Sequence, residues 1–189
     1  MLFLVACAAA KPSPPYLVHL SGRCGGYAID PMHIITADHC KDLSSVRLGD
    51  RYAHIRLIAR WPEIDVALYE TASPLGLDSY ATFATIAPNR PAYAFGYCPL
   101  WRPTVARFAQ FDGIESDPMY CHNFRIAGAW TCSGDSGGVI EQDGAIVGMI
   151  SQFRGQAYAL DGGPLVGYAT CAVPGVTLQA KVDEWRNER

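Results

Sequence analysis

Thr131-Cys132-Ser133-Gly134-Asp135-Ser136-Gly137-Gly138 is the stretch whose reading decides the fold. It sets a serine in a glycine-rich turn behind a cysteine. A serine hydroxyl is a poor nucleophile until a base takes its proton and nearby donors stabilise the oxyanion that follows. Gly134 can adopt a backbone conformation that other residues resist, so the N–H groups of Gly134 and Ser136 can aim at one point as an oxyanion hole. Gly137 and Gly138 let other backbone approach closely. Read blandly, the same residues form a Gly/Ser turn between strands. The two readings part on whether the rest of the chain supplies a base and an orienting acid.

It supplies both. Ile34-Ile35-Thr36-Ala37-Asp38-His39-Cys40 brings a histidine to the end of an apolar run, and Ile64-Asp65-Val66-Ala67-Leu68 sets an aspartate among apolar neighbours. An imidazole titrating at about 6.5 suits a group that takes a proton and then returns it. Of the five histidines, His39 stands out by its place immediately before Cys40. The neighbours of Asp65 argue against a solvated strand-edge aspartate. Along the chain the order is His39, Asp65, Ser136.

A length of 189 residues allows one domain or two small ones packed together. With 50% hydrophobic and 17% charged residues, the chain can bury a sizeable core. Its 18 glycines and 13 prolines are spread along the chain, as in folds of short strands joined by turns. A net charge of −3, without a basic run or an aromatic–basic stripe, argues against nucleic acid as a partner. Seven cysteines point to an oxidising compartment.

Residues 1–10, MLFLVACAAA, are too few to span a bilayer and read as the apolar part of a secretory signal segment, with small residues before Lys11. Leu4-Val5-Ala6-Cys7 also resembles a bacterial lipoprotein acylation site. Set apart from that leader, six cysteines remain for pairing, and the expected location is secreted or periplasmic.

Residues 11–15 form a proline-rich lead-in. Apolar and alternating runs then predict strands at 16–20, 24–29, 33–37, 46–50, 54–58 and 64–69. The stretch 71–91, with Pro74, Pro88 and Pro91, is the least patterned and holds the domain junction. Further strands are predicted at 92–96 and 104–111, and on both sides of a Gln142-Asp143-Gly144 turn. The charged run 181–189 around Trp185 reads as a short C-terminal helix.

With these residues in hand, the chain resembles the chymotrypsin/trypsin-like serine endopeptidases over nearly its whole length after Pro14. The resemblance implies an all-β fold of two six-stranded antiparallel β-barrels with the active site between them. It assigns 11–85 to the N-terminal barrel, 86–177 to the C-terminal barrel and 178–189 to a C-terminal helix. Ser136 would attack the peptide carbonyl, His39 would shuttle the proton, Asp65 would orient His39, and the N–H groups of Gly134 and Ser136 would hold the oxyanion. The product would be a hydrolysed peptide bond, reached through an acyl-enzyme with no metal or cofactor. The implied partners are a protein or peptide substrate and a protein protease inhibitor, and the implied state is a monomer.

The resemblance also pairs Cys24 with Cys40 and Cys132 with Cys171. Cys121 matches the cysteine that closes the loop before the nucleophile. Its usual upstream partner is absent, which leaves Cys98 for it; connectivity stays open on sequence alone. Ser151 matches a serine that commonly hydrogen-bonds the triad aspartate, although a plain strand serine reads nearly as well.

Several positions depart from the family pattern. No Ile-Val-Gly-Gly-type segment follows a basic cleavage point: Arg23 precedes Cys24, and Lys11 precedes Pro12. Asp135, which would pair with a freed amino terminus, therefore needs another cation. Arg90, Arg102 and Arg107 are the candidates, since a buried carboxylate without a partner is costly. Activity without proteolytic activation is the expectation. Asp38 stands where the family carries a small alanine; a carboxylate there either raises the pKa of His39 or faces solvent, and solvent is the expectation.

The specificity pocket is assigned to Trp130, Thr131, Ser133, Phe153 and Gly175. Trp130 lies six residues before Ser136, where an aspartate would select Arg or Lys. Between Ser151 and Cys171 lie 19 residues, more than usual, including Phe153, Arg154, Tyr158 and Asp161. Cleavage after an apolar residue is expected, unless Asp161 reaches into the pocket. The rival reading is a non-catalytic protease homologue acting as a binding module. A third is an enzyme that processes one partner protein.

Overall fold

Short strands punctuated by turn residues close into two barrels. A computed structural model describes residues 11–21, 24–97, 106–114, 121–127, 131, 133–154 and 169–189. The first barrel is built from β1 (Leu17–Leu20), β2 (Cys24–Ala28), β3 (His33–Ala37), β4 (Ser45–Leu48), β5 (Arg51–Trp61) and β6 (Val66–Thr71), closed in the order β1-β2-β3-β6-β5-β4. The second uses β7 (Ala92–Phe95), β8 (Arg107–Ile114), β9 (His122–Ala127), β10 (Val139–Gln142), β11 (Ala145–Arg154) and β12 (Ala169–Pro174), closed as β10-β11-β12-β9-β8-β7. Neighbouring strands are antiparallel, and a helix, α1 (Gly175–Asn187), follows β12. This is the all-β, two-barrel architecture that the resemblance implies.

Two strands of the second barrel escape the sequence reading. β9 does alternate, with His122, Phe124 and Ile126 buried and Arg125 exposed, a pattern of period two. β12 gives no such signal, because Thr170 to Pro174 are all buried. The Asp143-Gly144 turn has φ of 53° and 87°, the left-handed pair that a tight hairpin between β10 and β11 needs.

Residues 72–91 look patternless because most of their backbone hydrogen bonds go to the two barrels, with Arg90 N–H to Ala87 O a bond made within the stretch. Ala81 N–H donates to Ala28 O in the first barrel, and Ala84 N–H to Ile146 O in the second. The Gln142 side chain accepts from Ala87 N–H and donates to the carbonyls of Ala87 and Arg90. One apolar cluster joins the first barrel's interior to Phe95, Val139, Ile146 and Met149 of the second barrel and to Leu178, Val182 and Trp185 of α1. A second cluster around Phe124, Ile126, Ile140 and Ile150 fills the second barrel.

The helix begins at Gly175, earlier than either 178 or 181. Pro174 presets the backbone at its start, and Gly175, Leu178, Val182 and Trp185 form one buried stripe at helical spacing. Trp185 meets the His33 ring edge-on at 4.6 Å, docking the helix on the first barrel. The lead-in also crosses between barrels. The Lys11 ammonium pairs with Glu141 of β10, and the Tyr16 hydroxyl donates to the other Glu141 oxygen at 3.2 Å. Burial and this carboxylate push the Tyr16 phenol well above its usual value.

Cys24 is bonded to Cys40, pinning β2 to the segment that carries His39. The other expected pairings need correction. Cys171 is bonded to Cys121, with Cα atoms 5.5 Å apart, and not to Cys132; Cys121 is therefore not the partner of Cys98. The reason is the register of β9 against β12, which sets Cys171 opposite Asn123, two residues from Cys121. Cys98 and Cys132 lie outside the described residues, as do Trp130, Arg102, Tyr158, Asp161 and the leader with Cys7.

Candidate active site

His39 and Asp65 come from neighbouring strands of the first barrel. β3 runs antiparallel to β6 with Ala37 opposite Val66, so the residues after one strand meet those before the other. Asp65 caps a single 3₁₀ turn, Pro62–Ile64, in a left-handed conformation (φ 56°), which aspartate tolerates better than most residues. Its carbonyl accepts Asp38 N–H at 3.1 Å. One carboxylate oxygen accepts His39 N–H at 2.9 Å and the other lies 2.8 Å from His39 Nδ1. Ser151 of β11 donates its hydroxyl to that second oxygen, as the resemblance implies.

Ser136 comes from the other barrel, and its Oγ lies 2.8 Å from His39 Nε2. The turn that carries it is pinned from both sides. Gly25 N–H of β2 donates to Ser136 O at 2.8 Å, while Gly137 N–H donates to Ile150 O and Ile150 N–H to Gly138 O. Glycine is required at 137: φ is 75°, and a Cβ there would overlap Gly25 O and Thr36 Oγ1. Thr36 Oγ1 in turn donates to Gly25 O. Gly134, whose amide belongs to the expected oxyanion hole, has φ of 112° and accepts Tyr97 N–H at its carbonyl.

Asp135 resolves to one of its three candidate cations. Arg107, at the start of β8, grips it with Nη1 on Oδ2 at 2.5 Å and Nη2 on Oδ1 at 2.9 Å. The two side chains are 4% and 1% exposed, so this is a buried fork. Arg90 instead pairs with Asp143 at the surface.

Gly96 makes room for the pair, a role the sequence did not suggest. A Cβ there would overlap Asp135 Oδ1 and stand 2.8 Å from Cγ. Gly96→Ala is expected to lower stability by about 1–3 kcal/mol and to reduce activity, because the carboxylate must move to admit the methyl group. Urea unfolding beside a rate assay checks this; an unchanged midpoint and rate would show that the turn has slack.

The expected pocket residues scatter more widely. Thr131 is buried and Ser133 is exposed. Phe153 lies in β11 opposite Thr170. Pro174 pairs with Gly148, so Gly175 sits roughly 13 Å along β11 from Ser151, at about 3.3 Å per residue. It opens α1 there, and a Cβ would overlap Ile146 O.

Asp38 is also corrected. It is buried rather than solvated, and Arg60 of β5 holds both of its oxygens. Arg60 was missed because nothing near it in sequence marks it; the barrel's strand pairing brings it to residue 38. The cleft at the serine is lined by Asp38, His39, Lys41, Pro62, Asp65, Ser136, Ser151 and Gln152.

The hydrogen bond to Asp65, with the charges of Asp65 and Asp38, raises the His39 pKa above that of a free imidazole, against the opposing effect of burial. Burial alone would push Asp65 up, but hydrogen bonds from His39, from Ser151 and from the His39 backbone bring it below the usual carboxylate value. The arrangement thus favours an ionised Asp65 beside an imidazole whose pKa is raised.

A cleft between two closed barrels, with serine from one side and histidine and aspartate from the other, defines a class of two-barrel serine hydrolases. No family profile matches the chain. Among curated proteins, trypsin-4 of Rattus norvegicus is 28% identical over 202 residues, covering 83% of this chain and 81% of the relative. A trypsin of Simulium vittatum is 27% identical over 174 residues, covering 68% and 70%. Among solved structures, kallikrein-related peptidase 10 in complex with Zn2+ superposes with a TM-score of 0.70 at 16% identity, over 94% of this chain and 98% of that one. A scabies mite inactivated protease paralogue does so at 0.67 and 16%, over 96% and 100%. Over most of its length the chain is similar to trypsins of the chymotrypsin-like serine protease family, and it shares the two-barrel fold of the solved structures.

Proposed function

We propose that this protein is a secreted serine endopeptidase acting through an acyl-enzyme, with His39, Asp65 and Ser136 as its catalytic triad. The observation that carries the reading is the unbroken path from Ser136 Oγ to His39 Nε2 and from His39 Nδ1 to Asp65, each step 2.8 Å. His39 takes the serine proton as Oγ attacks the peptide carbonyl. The amides of Gly134 and Ser136 hold the resulting oxyanion, and His39 then gives its proton to the leaving amine. Water repeats the sequence on the ester. Asp65 keeps the imidazole in the tautomer that leaves Nε2 free to accept.

Because Arg107 neutralises Asp135 from within the fold, the site needs no freshly cut amino terminus. The substrate is a protein or peptide, cleaved after an apolar residue; Trp130 in the place of a charge-selecting aspartate supports this. Initial rates on peptides varied at that one position test it, and clear preference for Arg or Lys would reject it. The apolar leader and two disulfides support export, and a protein inhibitor and a monomeric state complete the reading. The binding-module reading shares the same fold, as the inactivated mite paralogue illustrates. Against it stands a triad whose three members are hydrogen-bonded to one another.

The pH dependence has a definite sign. His39 must be neutral to act as base, and its pKa is raised above 6.5. The rate constant kcat/KM is therefore expected to fall as the pH drops through a midpoint above 6.5. A midpoint at or below that of free imidazole would contradict the Asp65–His39 coupling.

A further inference from the structure

The proposed reaction makes no use of Asp38 or Arg60, yet they form a built unit at the rim of the cleft. Asp38 is buried, immediately precedes the base, and lines the same cleft as Ser136. Arg60 meets it as a planar fork, Nε to Oδ1 at 2.5 Å and Nη2 to Oδ2 at 2.7 Å. The Arg60 side chain is 43% exposed, so the fork is open to water on one side. The unit joins three strands: Asp38 follows β3, Arg60 lies in β5 opposite Ala67 of β6, and Asp38 N–H donates to Asp65 O.

The charges around His39 are then Asp65 at Nδ1, Asp38 immediately before it in the chain, Arg60 bound to Asp38, and Lys41 in the lining of the same cleft; Tyr69 feels Asp38, Arg60 and Asp42. A second carboxylate so close to the imidazole favours its charged form, which cannot take the serine proton. A guanidinium clasped to that carboxylate opposes the effect.

We propose that Asp38 and Arg60 are a charge-matched positioning pair: the fork ties the backbone that delivers His39 to β5, and Arg60 offsets part of the field of Asp38 at the base. The proposal rests on the reading of His39 as general base.

The test compares wild type, Arg60→Gln, Asp38→Asn and the double variant. Two quantities are read: the acidic limb of kcat/KM, and the titration of the His39 ring by NMR on histidine-labelled protein. Arg60→Gln unmasks the carboxylate and should move the midpoint up by roughly half to one pH unit. Asp38→Asn leaves an unopposed cation and should move it down by a similar amount. The double variant, balanced again, should return close to wild type. A merely structural pair would lower the rate in all three variants with the midpoint fixed, and that result overturns the proposal. Single variants that shift in the same direction overturn it as well. If Arg60→Gln does not fold, Asp38→Asn decides alone: a downward shift upholds the pair and no shift refutes it. If no variant hydrolyses peptides, the ring titration still decides, since opposite shifts there uphold the pair while the catalytic reading fails.

Discussion

Arg107→Met is expected to lower stability by about 3–5 kcal/mol and to abolish most of the activity. Methionine fills much of the same space without a charge. It leaves the Asp135 carboxylate, 1% exposed, with no fork to hold it. Removing one partner of a buried pair strands the other charge, which costs more than the pair contributed. Asp135 lies between Gly134 and Ser136, and its carbonyl accepts Gly138 N–H, so any movement of its side chain displaces the donors and the nucleophile together. Arg107→Lys should fall between, since it keeps the charge but loses the two-pronged grip. Denaturant unfolding and hydrolysis rates on the same preparations separate the two effects. A methionine variant as stable and active as wild type would mean that Asp135 is held by other means. The intact precursor is likewise expected to be active. A precursor inert until cut at a defined site would contradict it.

Asp65→Asn carries the second large effect, a loss of roughly 10⁴-fold in kcat, the size known for this substitution in triads of this kind. The amide would fit the space. However, it would present a donor where Ser151 and the His39 backbone already donate, and it would favour the imidazole tautomer with its proton on Nε2. That tautomer cannot accept from Ser136. KM should change little, because both Asp65 carboxylate oxygens are engaged by His39 and Ser151. A loss of less than tenfold would remove Asp65 from the mechanism.

Much of this was legible in the sequence because it is local. The turn 131–138, the His39-Cys40 pair and the apolar frame of Asp65 each announce themselves within a few residues, and their order along the chain selects the fold. What depends on register was not legible. The partner of Cys171 follows from how β12 lies against β9, and neither strand was read. The burial of Asp38 follows from Arg60, a residue of the next strand but one in the barrel order. Gly175 looked like pocket wall because Pro174-Gly175-Val176 matches a motif. In the fold it opens α1 and lies against Ile146 and Ala84. Arg107 lay between these cases: the need for a cation at Asp135 was clear from chemistry, and the choice among three arginines needed the barrel.

The most direct test of the central claim is labelling of the purified, oxidised protein with a fluorophosphonate probe, beside a Ser136→Ala control. The probe reacts with a serine only where a base activates it and an oxyanion site receives the adduct. The account predicts that the wild type is labelled and the control is not. A folded wild-type protein with its disulfides formed, yet left unlabelled, would contradict it and favour a binding role for the cleft.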